Sequence, residues 1–405
     1  MNLRDRLQSL RPAPADAAKE PLASLKERVE RLAAKAHAHS VVQRQVVSKQ
    51  DVAAALEAIR VAPGVLCVEQ SIPLDWQHGR LNYAALLDAP LALLCPDTPI
   101  DAEDLVFIDT ETSGLAGGTG TLVFLLAVAR LDGNRIRLAQ WLLTAFAGEA
   151  AMLAAARDWL PAGAHLVSFN GKSFDVPLLA TRYRMQGQAD PFSALPHLDL
   201  LHLTRRAFGR RWEDCRLQTA EQHLLKFHRE DDLPGSAMPR AWTEFMRNGD
   251  AHPMRAVLAH NRRDVLSLGP LSAALAQVYL DPDGDSCDAA AIARARLAAS
   301  RPDEALRTLE GQQGFLDEAG LLLYAALLKR YGRRDEAALL WQRLAGVDCV
   351  DAIEQLAKHH EHRARDPHAA LACIARLTEL AGHERTARRE ARLTRKIARL
   401  GGRLF

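Results

Sequence analysis

Two apolar runs, residues 122–130 and 136–144, are separated by little more than Asp132-Gly133-Asn134, and this pairing constrains the fold more than any other stretch of the 405-residue chain. An Asp-Gly step between apolar runs rich in strand formers is a hairpin signal, because both central turn positions favour residues that tolerate positive φ. A third strand-like run, residues 105–109, precedes the hairpin across a loop holding Gly114, Gly117, Gly118 and Gly120. Afterwards the period changes. Residues 149–160 read as a helix ended by Pro161, 165–169 as a strand, 174–185 as a helix and 197–201 as a strand. Three adjoining strands followed by alternating helices and strands specify an α/β fold, a mixed sheet flanked by helices. Residues 254–278 close the domain as a long helix, with a bend expected at Gly269-Pro270.

The flanks read differently. Residues 22–36 carry helical spacing within a charged, Ala- and Pro-rich arm, residues 51–60 look helical and 65–69 look like a strand. Residues 71–100 give no clear pattern. Past a linker signal at 282–285, Ala, Leu and Arg dominate. There Asp303-Glu304-Ala305-Leu306 is echoed by Asp335-Glu336-Ala337-Ala338 and more weakly by Pro367-His368-Ala369-Ala370-Leu371. The offset is near the ~34 residues of tetratricopeptide repeats. The expected organisation is an N-terminal arm (1–62), an α/β domain (63–280) and an all-α helical-repeat domain (286–405). The last of these ends in a basic helix over 384–400.

Composition excludes several classes. With 48% apolar and 25% charged residues the chain is globular rather than disordered. A formal charge of +2 announces no bulk nucleic-acid affinity, so any basic surface must be local. The six cysteines are scattered without metal-ligand spacing, which fits reduced thiols. Residues 1–14 hold no apolar run that could serve as a signal peptide, and the longest apolar stretch, residues 122–128, is too short to span a bilayer. The expectation is a cytoplasmic protein without a membrane partner.

Three short motifs carry the chemistry. Asp109 and Glu111 stand two apart at a strand end, so both carboxylates leave one face of the strand. Hard oxygen ligands so arranged suit a divalent cation, although such a pair also occurs in a solvated turn. Asp175 opens a helix directly after a strand, where it is equally a cap. His260 and Asp264 stand four apart on a helix and share a face, as a proton acceptor beside a ligand or as an ion pair. Asn170 is a candidate for a hydrogen bond near the site, or a turn residue. Arg205, Arg206, Arg210, Arg211, Arg216, Lys226 and Arg229 form a local basic stretch, read as a phosphate track or a solvated face.

Together the motifs are specific. Asp109-x-Glu111, Asn170-x-x-x-Phe174-Asp175 and His260-x-x-x-Asp264 resemble the three exonuclease motifs of the DEDD superfamily, on a ribonuclease H-like fold. Four segments resemble the YprB-like branch more closely. They are Phe107-Ile108-Asp109-Thr110-Glu111-Thr112-Ser113-Gly114-Leu115, Ser168-Phe169-Asn170-Gly171-Lys172-Ser173-Phe174-Asp175, Arg229-Glu230-Asp231-Asp232-Leu233-Pro234-Gly235-Ser236, and His260-Asn261 through Asp264-Val265-Leu266-Ser267-Leu268. The likeness covers roughly residues 63–276, and C-terminal tetratricopeptide-like repeats accompany it in bacterial members.

The resemblance implies a 3′-to-5′ exonuclease acting on DNA or RNA with two divalent ions, Mg²⁺ or Mn²⁺. Asp109, Glu111, Asp175 and Asp264 would be ligands and His260 the base. One departure bears on the base. The histidine stands at the spacing of the superfamily's tyrosine subclass, and one residue turns a helical side chain by about 100°. Two other readings stand beside this one: a degenerate domain that binds nucleic acid without cutting it, and an adaptor whose repeats bind a protein partner.

Overall fold

The computed structural model describes residues 51–95, 98, 100–114 and 120–401. The expected arm helix at 22–36 and most of the glycine-rich loop lie outside them.

Seven strands form one mixed sheet in the order β1-β2-β7-β6-β5-β8-β9. They are β1 (Ile59–Ala62), β2 (Val65–Pro73), β5 (Leu105–Thr112), β6 (Val123–Asp132), β7 (Arg135–Leu143), β8 (His165–Ser168) and β9 (His197–Asp199). Two short strands, β3 (Gln77–His78) and β4 (Leu81–Asn82), pair separately. The hairpin forms as expected: Asp132 pairs with Arg135, and Gly133 takes φ +58° in the turn. β5 is antiparallel to β6 but parallel to β8, and β8 is parallel to β9. The sheet and its flanking helices are those of a ribonuclease H-like domain. The strand expected at 65–69 forms as the longer β2, which runs antiparallel along β7 from Val65 opposite Leu143 to Pro73 opposite Arg135. The region expected to be helical over 51–60 holds only a four-residue helix, Val52–Ala55, before the chain extends as β1.

The helices flanking the sheet are α1 (Glu149–Asp158), α2 (Asp175–Met185), α3 (Leu200–Phe208), α4 (Met238–Asn248) and α5 (His252–Leu280). Strand β9 stops two residues earlier than expected because Asp199 caps α3, accepting a hydrogen bond from the backbone N–H of Leu201 at 3.1 Å. α5 runs unbroken through Pro270. Its Gly269 admits the ring of Tyr83: a Cβ there would lie 2.2 Å from the ring. Tyr83 in turn meets Phe107 of β5 edge-on, and all three residues are buried. Each large apolar side chain buried this way contributes roughly 1.5–3 kcal/mol.

Seven helices follow: α6 (Ala289–Ala298), α7 (Pro302–Leu309), α8 (Glu318–Arg330), α9 (Arg334–Ala345), α10 (Val350–His359), α11 (Pro367–Ala381) and α12 (His383–Gly401). Each sequence echo opens the second helix of a packed pair: α7 on α6, α9 on α8 and α11 on α10. This all-helical region docks on the sheet domain. Cys287 and Ile292 enter the same apolar core as Leu203 and Tyr279, and the Asp288 N–H donates to the carbonyl of Ala207 at 2.7 Å. No helix of the described residues is long and apolar enough to cross a membrane. All six cysteines are free thiols.

Candidate active site

Strand parity brings the first two acids to α5. Leu105 and Phe107 pack in the core that also holds Val265, Leu268 and Leu271 of α5. Asp109 and Glu111 continue that side of β5 beyond the apolar layer. On α5, His260 and Asp264 precede Leu268 at helical spacing on one face. Helix and strand thus both change from apolar to ionisable at the same level.

The third wall comes from the parallel pairing of β5 with β8, which puts the ends of both strands at one edge of the sheet. Beyond Ser168 the chain turns sharply through Asn170, at φ +74°. Gly171 follows because a Cβ there would lie 2.3 Å from the Ser168 hydroxyl. Asp199 fixes the turn, accepting hydrogen bonds from the backbone N–H groups of Asn170 (2.8 Å) and Lys172 (3.0 Å). α2 then starts at Asp175. Of the two readings of Asn170, the structure displays the turn residue.

Asp109, Glu111, Asp175, His260 and Asp264 all line one cleft of about 540 Å³. Each acid meets a protein group. Asp109 accepts a hydrogen bond from the Asn261 amide at 2.7 Å, and Asp175 accepts one from the Thr110 hydroxyl. Asp264 lies 2.6 Å from the Arg229 guanidinium and 3.4 Å from Nε2 of His260, while Glu111 stands 4.0 Å from that same nitrogen. Among the described residues, no three His, Cys, Asp or Glu side chains are drawn close enough together to chelate an ion as they stand.

The crowding has an electrostatic consequence. Burial first, then the neighbouring Asp264, Asp175 and Glu111, hold the Asp109 carboxyl well above the usual carboxylate range. Burial likewise lifts Glu111 to about 8, against the pull of His260, and Asp175 to about 6, against its bond from Thr110. Burial would lower His260, but Asp264 and Asp232 outweigh it and raise the imidazole to about 9. Asp264 Oδ1 is buried and makes no aligned hydrogen bond, although Arg229 lies beside it as a charge. A converging set of hard carboxylate oxygens that repel one another fits a divalent cation.

Four further residues shape the site. Arg229 is not part of a surface track. Its side chain is 5% exposed and pairs with Glu221 (2.7 Å), Asp232 (3.0 Å) and Asp264 (2.6 Å). Asp232 holds Nδ1 of His260 at 2.8 Å, and Asn261 ties Asp109 to Gln140. Phe174 lines the cleft with 60% of its surface exposed, although the sequence gives no sign of a stacking platform. Its signal was its place immediately before the helix-opening Asp175. The remaining basic stretch does not run along the cleft. Arg210 pairs with Asp317 (3.0 Å) and Arg211 donates to the Gly284 carbonyl (2.8 Å), so both anchor the helical region.

Comparison with known proteins agrees with this architecture. Residues 106–276 match a family described as RNase_H superfamily. The chain is also 30% identical over 318 residues to an uncharacterized protein, YprB, of Bacillus subtilis, an alignment covering 74% of this chain and 76% of that relative.

Proposed function

Because the chain belongs to the ribonuclease H superfamily, in one family with YprB, we propose that it is a metal-dependent nuclease of the DEDD type, a 3′-to-5′ exonuclease hydrolysing phosphodiester bonds of DNA or RNA. Ribonuclease H-like enzymes act on nucleic acid and typically use divalent ions. The observation that carries the finer reading is the convergence of Asp109, Glu111, Asp175, Asp264 and His260 on one cleft.

In this reading Asp109, Glu111, Asp175 and Asp264 hold two divalent ions, Mg²⁺ or Mn²⁺. Bound there, such ions would supply a more acidic water and stabilisation of negative charge on the leaving oxygen. The chain's own groups supply the rest. Asp232 fixes the His260 ring through Nδ1 and leaves Nε2 toward Glu111 and Asp264. Compensation of those carboxylates by bound ions would weaken the attraction that keeps a proton on His260 and would leave Nε2 able to accept one. Thr110 and Asn261 orient Asp175 and Asp109. Phe174 offers its face to a terminal base.

Residues 63–280 form the catalytic domain in this reading, and 286–405 a tetratricopeptide-like repeat domain. A degenerate binding module is disfavoured because all four acids are present and share the cleft. The test is incubation of the purified protein with 5′-labelled single-stranded DNA and RNA in Mg²⁺ or Mn²⁺, beside Asp109→Asn and EDTA controls. A ladder shortening from the 3′ end, absent in both controls, is expected. Strands left intact while still bound would instead establish the binding module.

A further inference from the structure

The helical region holds a groove of about 500 Å³ between α8, α9, α10 and α12, with an unusual lining. Lys329, Arg334, Lys358, Arg363 and Arg389 border it, and no Asp or Glu does. The chain as a whole is nearly balanced, with 52 basic and 50 acidic residues, so five cations around this groove depart from its average, although the adjoining hollow, which shares Lys329, Arg334, Trp341 and Gln355, adds Asp351 and Glu354. The only apolar residue in the lining is Trp341, which is buried, with the Lys329 ammonium 5.9 Å over its ring.

Two of these cations already have carboxylate neighbours. Lys358 pairs with Glu354 at 2.7 Å, and Arg389 lies 3.8 Å from Glu361. Lys329 donates to Gln355 at 3.0 Å. Among the described residues, Lys329, Arg334 and Arg363 have no carboxylate within ion-pair distance, and Lys329 and Arg334 are exposed at the groove, as is Arg363. Asp351 and Glu354, on the adjoining stretch, both face Arg385 (3.6 and 2.7 Å).

We propose that this groove binds the phosphate backbone of a single-stranded nucleic acid, as a second contact outside the catalytic cleft. The choice of occupant rests on the nuclease reading above and on the chemistry of the lining. Grooves that capture amphipathic peptides do so through apolar anchors seated in pockets, whereas clustered cations take negatively charged partners. This groove has exposed cations and, in its own lining, no apolar residue but the buried Trp341; Leu322 and Ala326 belong to the adjoining hollow. Cations of this kind match a repeating, diffuse negative charge and take no account of base identity.

The test is fluorescence anisotropy with 5′-labelled 30-nucleotide DNA and RNA single strands, in EDTA so that no strand is cut. The full-length wild type is compared with Arg334→Gln/Arg363→Gln, and with Lys329→Gln/Lys358→Gln, which reads the opposite wall if the first pair folds poorly. Each pair is expected to weaken binding about tenfold. It should also flatten the plot of log affinity against log salt by about 1.4, at roughly 0.7 per lost single-strand phosphate contact. Affinity and salt slope unchanged in both pairs would overturn the proposal. So would displacement of the strand by polyglutamate more readily than by unlabelled oligonucleotide, which would assign the groove to an acidic protein. The nuclease reading is tested separately in the same series. Groove-dependent binding by a wild type that never cuts in Mg²⁺ sustains the groove and sinks the nuclease. Cutting with groove-independent binding does the reverse.

Discussion

Oδ1 of Asp232 lies 2.8 Å from Nδ1 of His260, and the opposite ring nitrogen stands between Asp264 (3.4 Å) and Glu111 (4.0 Å). The ring therefore has one orientation, set by a residue that does not line the cleft. Asp232→Asn keeps an oxygen able to accept from Nδ1 but removes the charge. Loss of such an orienting partner at a metal site typically lowers activity about 10- to 100-fold. The expected result is a fall of that size in kcat with KM within about twofold, because Asp232 stands outside the cleft lining. Steady-state kinetics on a labelled oligonucleotide would read it, with the melting temperature as a control. An unchanged kcat would remove Asp232 from the mechanism.

Arg229, whose side chain is 5% exposed, bridges Glu221, Asp232 and Asp264, while Arg263 (2.9 Å) and His260 (2.8 Å) also meet Asp232. Removing one member of a buried ion network leaves the others uncompensated and typically costs 3–5 kcal/mol. Arg229→Met should therefore destabilise the sheet domain by about that amount in urea unfolding. Arg229→Lys should restore little of it, since one ammonium cannot bridge three carboxylates as a planar fork does. A stability within about 1 kcal/mol of the wild type would mean that the network is dispensable.

The sequence made the five cleft residues legible because each rests on a local rule. Asp109 and Glu111 follow from strand parity, His260 and Asp264 from helical spacing, and Asp175 from a strand-to-helix junction. The hairpin at Gly133 and the strands on either side are local in the same sense. Arg229 and Asp232 are not local. Asp232 meets His260 across 28 residues, with all of α4 and a chain reversal between them that no periodicity announces. Arg229 accordingly looked like any member of a basic stretch until its burial was visible. Residues 71–100 were illegible for a related reason. Their short 3-10 turns and two-residue strands are held by tertiary contacts, such as Tyr83 against Gly269, not by a pattern of their own.

Phe174 exposes 60% of its surface at the cleft, where burial in the core offers it nothing. Stacking of a base on an aromatic face is worth about 1–3 kcal/mol, so Phe174→Ala should raise KM roughly 5- to 150-fold on oligonucleotides. Its kcat should change much less, because Phe174 carries no proton and holds no ion. The measurement is KM and kcat on single strands of several sequences. Equal kinetic constants for wild type and variant would show that the ring does not contact substrate, and a lost kcat at constant KM would point to displacement of Asp175 instead.

His78 supplies a prediction that does not involve the cleft. Its Nε2 bonds to the Ser267 hydroxyl at 2.7 Å, and its Nδ1 is buried without a partner. Burial, then the nearby charges of Arg229 and Arg262, lower its pKa from 6.5 to about 4. A folded-state value below the unfolded one means that the unfolded chain binds the proton first as pH falls. The stability contribution is therefore complete above pH 6.5 and is lost progressively down to about pH 4. Between pH 7.5 and 4.5 the loss from this one group is about 2–3 kcal/mol. The carboxylates of the cleft titrate over part of the same range, so the comparison must be with His78→Asn, in which they are unchanged and the imidazole is absent. Denaturant unfolding at both pH values should find the variant less stable than the wild type at pH 7.5, with the gap narrowing by about that amount at pH 4.5. Parallel stability curves would mean that His78 is protonated in the folded protein, with its burial relieved by movement away from Ser267.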